Sequence, residues 1–231
     1  MKDILGRAAL DYYEGHQLDA LWINNKYAEA EEMPLEVFFR TQEELTDLEL
    51  LALHECNGTT LDIGAGAGAF SICLQDQRKE VFALDNSPLL VEVMEKLGVK
   101  TIVNYDLWQY KDAKFDTLLL IMNGLGIVGT MEKLTTALDH FRTLLKPGGQ
   151  ILLDSSDISY LYEDEEIARP ENTYYGQLDY QYEYQGTKSD WFQWLYIDQD
   201  SLSKVADEKG WSFEKLFEDD MSQYLARLTL K

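Results

Sequence analysis

The stretch TLDIGAGAGAFSICL, residues 60 to 74, limits what this chain can fold into more than any other. An apolar lead-in carrying one acid, Asp62, runs into six residues that alternate glycine and alanine from Gly64 to Ala69, and an apolar pattern of helical period follows. A strand that ends in so bare a loop and opens directly into a helix brings the main chain close to a ligand with no Cβ in the way. It also aims helix N-terminal amides at that ligand. Gly64, Gly66 and Gly68 supply the bareness.

The flanking pattern supports this reading. From Thr60 short apolar runs alternate with longer amphipathic ones: TTLDI, AFSICLQDQ, KEVFALD, PLLVEVMEKLG, VKTIVNYD, FDTLLLIMN, MEKLTTALDHFRTLLK and GQILLDSSD. Strand alternating with helix predicts an α/β fold, a doubly wound parallel sheet covered on both faces, and the almost wholly apolar FDTLLLIMN fits its central strand. Residues 1–58 read as a helical cap carrying aromatics. In its last part Leu45, Leu48 and Ala52 recur at helical spacing with Leu51 beside them, so that segment should pack on the domain of residues 59–231. After Asp157 the rhythm breaks into an acidic, tyrosine-dense insertion at about 158–197, where DYQYEYQGTKSDWFQWLYID alternates like two strands around a glycine turn.

Totals exclude some partners. The 231 residues carry a formal net charge of −22, which repels phosphate backbones and anionic headgroups, so nucleic acid and membrane surfaces are poor partners. The two cysteines and three histidines have no metal-ligand spacing, and no metal is expected. The N-terminus lacks a basic region followed by a long apolar run, and the expected setting is cytoplasmic.

The glycines alone do not choose a cofactor, because Gly64, Gly66 and Ala69 also satisfy the dinucleotide fingerprint. The strand EVFALD ends at Asp85, 21 residues after Gly64, about the spacing at which a carboxylate reaches a ribose hydroxyl pair. An adenosine-type ligand follows. Asp62, two residues before the first glycine, and Asp106, at the end of the next strand, distinguish the pattern from that of the dehydrogenases.

With LDIGAGAG, ALDNSP, YDLW, FDTLLLIMNGLG and LLKPGGQILLD in this order, the chain resembles the class I S-adenosylmethionine-dependent methyltransferases over about residues 59–154. The resemblance implies a Rossmann-like, seven-stranded, mostly parallel sheet whose antiparallel last strand, YLARLTLK, lies between its neighbours. It implies S-adenosylmethionine as cofactor. Gly64, Ala65 and Gly66 would face its amino-acid half, Asp85 with Asn86 the ribose, and Asp106 with Leu107 the adenine edge. Asp62 would hold the loop or the ammonium group, and Asn123 would mark where the methyl sits. Arg40, after Phe38 and Phe39, is the expected partner of the cofactor carboxylate. An NAD-dependent oxidoreductase and a non-catalytic cofactor binder are the alternatives.

The acceptor is expected to be a small molecule methylated on O or N. His16, Asn123 and Tyr160 are the candidate catalytic residues, with Tyr12, Tyr13, Phe39 and Asp157 as further candidate lining. The cluster of Tyr174, Tyr175, Tyr180, Tyr182 and Tyr184 reads first as one face of a hairpin or the contact of a homodimer, and second as a wall against an aromatic or cationic acceptor.

Overall fold

A computed structural model describes residues 2–163 and 167–231; Asp164, Glu165 and Glu166 of the acidic run in the insertion lie outside the described residues. In chain order the elements are α1 (Ile4–Tyr13), β1 (Leu21–Asn25), β2 (Glu31–Met33), α2 (Asp47–Glu55), β3 (Thr60–Ile63), α3 (Ala69–Asp76), β4 (Val81–Asp85), α4 (Pro88–Leu97), β5 (Ile102–Asn104), β6 (Phe115–Leu120), α5 (Met131–Leu144) and β7 (Leu145–Ser156). Then come β8 (Gln177–Tyr184), β9 (Thr187–Lys188), β10 (Phe192–Leu195), α6 (Gln199–Glu208), β11 (Trp211–Glu218) and β12 (Gln223–Leu230).

Seven strands form one sheet in the order β11-β12-β7-β6-β3-β4-β5. β3, β4, β5, β6 and β7 pair in parallel, while β12 runs antiparallel between β7 and β11, as the sequence implies for the last strand. β6 is central. Its Leu118, Leu119 and Leu120 are fully buried, because Leu118 and Leu120 pack with Leu134, Leu138 and Phe141 of α5 on one face and Leu119 packs with Ala52, Leu53 and Phe70 on the other. Local signals set the helix ends. Thr46 and Glu49 form a capping box that starts α2. Ser87 caps α4, Pro88 opens it, and Gly98 closes it in the left-handed conformation.

The N-terminal segment departs from the helical cap expected of it. Between α1 and α2 the chain forms β1 and β2, so LWINN is a strand rather than part of a helix. These strands complete a second, antiparallel sheet with the insertion, in the order β10-β8-β1-β2 with β9 on β8. Ile23 stands opposite Tyr182, and Phe192 opposite Tyr180. The predicted alternation of the insertion is present. It places Leu178, Tyr180, Tyr182 and Tyr184 on one face of β8 and Asp179, Gln181 and Glu183 on the other. The aromatic face turns inward over the carboxyl ends of the parallel strands, and the polar face turns to water.

Candidate active site

β3 delivers the chain to the glycine loop. Gly64 and Gly66 hold φ of 70° and 59° and line a cavity of about 590 Å³ at the carboxyl ends of β3 and β4. A Cβ on Gly64 would meet nothing nearer than Ile127 Cδ1 at 3.9 Å, and one on Gly66 nothing nearer than Phe38 Cδ1 at 3.4 Å. It would project into the cavity. Gly68 is different: a Cβ there would meet Val99 at 2.7 Å and Met94 at 3.0 Å, so its bareness lets α3 pack on α4. The structure does not bring Gly68 to the cavity wall, contrary to expectation.

Two buried acids line the same cavity. Asp62 accepts from Ser71 Oγ at 2.7 Å, and burial pushes its carboxyl up to about 6. Asp85 accepts from Gly66 N at 3.0 Å and Ser87 N at 2.9 Å, which ties the glycine loop to the start of α4. Burial raises its carboxyl as well. Asn86 stands beside it on the wall. These acceptor carboxylates suit a ligand with hydroxyls and positive charge, since either would offset the cost of ionising an acid away from water. With the open glycine cradle, these residues fit an adenosyl sulfonium cofactor.

Four other expected cofactor residues stand elsewhere: Arg40, Asp106, Leu107 and Asn123, the last on the wall of a second chamber. Arg40 makes a bidentate pair with Glu49, at 2.6 and 3.0 Å, and donates through Nε to Val37 O at 3.1 Å. It lines a different chamber, because the capping acid of α2 is the nearer and already buried anion. The Asp106 carboxylate caps a 3-10 turn, accepting from Trp108 N at 2.9 Å and Gln109 Nε2 at 3.1 Å, and Leu107 is buried in the main core. Neither is on the cavity wall.

The chamber that holds Arg40 has a volume of about 370 Å³ and opens beside the first cavity; Met33, Val37, Met122, Tyr182, Phe192 and Trp194 line both. Tyr180, Tyr196, Asn123 and Gln223 line the chamber alone. Met122 and Asn123 follow β6 at φ of 64° and 53°, two successive side chains in a conformation that costs each about 1–2 kcal/mol. A buried polar network surrounds this turn. Asp154, at the end of β7, accepts from Gly124 N at 3.4 Å and from Gln223 Nε2 at 2.7 Å, while Asn123 Oδ1 accepts from Ser156 Oγ at 2.9 Å. Burial pushes the Asp154 carboxyl up to about 6.

His16 and Tyr160 are exposed and line neither space; His16 faces Glu14 at 3.4 Å. Tyr12 and Tyr13 pack on Phe39, and Asp157 accepts from Tyr175 at 2.7 Å, so these too lie off the walls. Tyr180 and Tyr182 stand on one face of the antiparallel hairpin, as expected first, and that face also forms the chamber wall. Sequence reasoning misses Phe192, Trp194 and Tyr196, although WFQWLY alternates and pairs with the tyrosine strand.

Fold and site together define an enzyme of the adenosyl-cofactor class, with a second, aromatic-lined chamber beside the first cavity. Residues 38–216 match a family model described as a methyltransferase domain. A SAM-dependent methyltransferase from Bacteroides fragilis, solved in complex with S-adenosyl-L-homocysteine, is 40% identical at a TM-score of 0.92, and the match covers 99% of this chain and 95% of that one. The CcbJ methyltransferase from Streptomyces caelestis shares the fold at 13% identity and a TM-score of 0.62, over 79% of this chain and 87% of its own. A SAM-dependent methyltransferase from Clostridium acetobutylicum does so at 14% and 0.56, over 79% and 87%. A search of curated proteins gives no match. The chain belongs to the S-adenosylmethionine-dependent methyltransferases and takes S-adenosylmethionine as its cofactor. The oxidoreductase alternative falls with that assignment.

Proposed function

We propose that this enzyme methylates a small molecule on nitrogen or oxygen, with the cofactor in the larger cavity and the acceptor in the aromatic chamber beside it. The shared wall carries the reading: six residues line both spaces, so ligands in the two would meet across Met122 and Trp194. A chamber of about 370 Å³ suits a small organic molecule rather than a folded chain. When bound, the cofactor supplies an activated methyl, and the protein has mainly to align the reactants and exclude water. In this reading Asp85 receives the ribose hydroxyls, Asp62 the ammonium group, and the bare backbone of Gly64 to Gly66 the amino-acid half. The proposed setting is the cytosol, supported by two buried, unbridged cysteines, Cys56 and Cys73.

The test is incubation with S-adenosylmethionine carrying a labelled methyl and a fractionated extract. Label in the low-mass fraction, with S-adenosylhomocysteine formed in equal amount, is expected. Label appearing only in macromolecules would refute the reading. In thermal unfolding, ligand at about 100 times its dissociation constant adds roughly 2.7 kcal/mol, or about 5–10 °C for a chain of this size. S-adenosylhomocysteine should give that shift and NAD should not.

A further inference from the structure

The chamber also constrains the acceptor's chemistry, on the reading that the acceptor binds there. Its only described cation is Arg40, and both terminal nitrogens of that guanidinium already bond Glu49. A carboxylate or phosphate would therefore enter without a free positive partner, which is costly in a buried space. Acceptor atoms, by contrast, are open. Asp154 takes the Gln223 amide nitrogen at 2.7 Å, which leaves Gln223 Oε1 as the atom of that side chain free to receive a hydrogen. Tyr180, Tyr182, Phe192, Trp194 and Tyr196 line the same chamber, and aromatic rings attract a cation through their quadrupoles. Burial holds the Tyr182 and Tyr180 phenols above their ordinary range, so they stay neutral.

Nucleophile chemistry points the same way. An alcohol or phenol must lose its proton to a base near the moment of transfer, and among the described residues lining the chamber the one carboxylate, Glu49, is held by Arg40. An amine needs no such base, because it can shed its proton to water before transfer. Both burial and the positive sulfonium opposite lower its pKa.

We propose that the acceptor is a small amine with a flat apolar body, its nitrogen held by the Gln223 amide oxygen and its body by the aromatic wall. The ammonium proton leaves to solvent; the nitrogen lone pair then forms the N–C bond as the S–C bond breaks, and sulfur keeps the electron pair.

Triples of compounds with one body and three head groups test this. Tryptamine, indole-3-ethanol and indole-3-acetate form one set, and phenethylamine, 2-phenylethanol and phenylacetate another. Binding is measured calorimetrically to the protein saturated with S-adenosylhomocysteine, and turnover with S-adenosylmethionine. In at least one set the amine should bind tenfold or more tighter than its alcohol and acid and alone be methylated. Gln223→Leu should erase that preference, and Tyr196→Leu should weaken all three compounds while leaving S-adenosylhomocysteine affinity unchanged. Tighter binding of the acid or alcohol, or no binding by either amine, overturns the proposal, as does a preference that survives in folded Gln223→Leu. Failure to bind S-adenosylhomocysteine would instead strike the cofactor cavity itself, and the acceptor proposal with it.

Discussion

Arg40 and Glu49 face each other through two parallel hydrogen bonds, at 2.6 and 3.0 Å, in the wall of the aromatic chamber. Glu49 also accepts from Thr46 N at 2.8 Å, so one buried carboxylate both caps α2 and neutralises the chamber's only described cation. The pair thus sets the chamber's charge and the entry of a core helix together.

Removing one partner strands the other. Arg40→Ala should cost about 3 kcal/mol, at the low end for breaking a buried pair, because the arginine side chain stays 19% exposed. Arg40→Met with Glu49→Gln should recover more than half of that in denaturant unfolding, since no unpaired charge remains. S-adenosylhomocysteine affinity of Arg40→Ala should stay within twofold of wild type. A tenfold fall would return Arg40 to the cofactor carboxylate.

The parallel sheet was legible because its signals are local: strand and helix periods, the glycine run and the 21-residue spacing to Asp85. The second sheet was not. LWINN has no clear period, and Ile23 pairs with Tyr182 far along the chain, so neither strand announces the other. The neighbours Phe38 and Phe39 point Arg40 toward the cofactor, whereas the way α2 starts decides its partner. Asp106 looked like a binding acid at a strand end, and its own backbone two residues on took the carboxylate instead. The inward turn of the tyrosine face depends on β1, which the periodicity hides.

Asp62 makes a pH-dependent contribution whose sign follows from burial. Its folded pKa of about 6 lies above the ordinary carboxylate value, so the native state binds more protons than the unfolded one between the two. Its contribution to stability is therefore full at low pH and lost as pH rises through 6. Asp62→Asn lacks this loss. Measured by urea unfolding of the ligand-free protein, its stability relative to wild type should climb between pH 4 and 7. The climb should reach up to about 3 kcal/mol, since each tenfold change in proton affinity is worth about 1.36 kcal/mol. A difference that does not change with pH would show that Asp62 ionises freely.

Gly66 and Gly68 should separate binding from folding. Gly66→Ala adds a methyl that projects into the cofactor cavity, with Phe38 at 3.4 Å as its nearest neighbour. Its backbone strain is about 1–2 kcal/mol, and S-adenosylhomocysteine affinity should fall at least tenfold. Gly68→Ala meets the same strain and also drives its methyl into Val99 and Met94, overpacking that adds about 1–3 kcal/mol. Its melting temperature should fall well below that of Gly66→Ala. Affinity extrapolated to the folded fraction should be nearly unchanged. Equal affinity losses would mean that both glycines face the ligand.

Gly126, in the turn after Asn123, lies directly against the indole of Trp194, and any Cβ there would run into the ring's five-membered edge. Trp194 lines both the cofactor cavity and the aromatic chamber, so this contact links the turn that follows β6 to the shared wall. Gly126→Ala should destabilise the protein and displace the indole. Trp194→Phe removes the edge that collides, and the double variant should be more stable than the sum of the two single losses, with a coupling of at least about 1 kcal/mol. Strict additivity in urea unfolding would show that the wall can shift away from the turn. A coupled pair would mean instead that the position of Trp194, and with it the wall the two compartments share, is set by the absence of a side chain at residue 126.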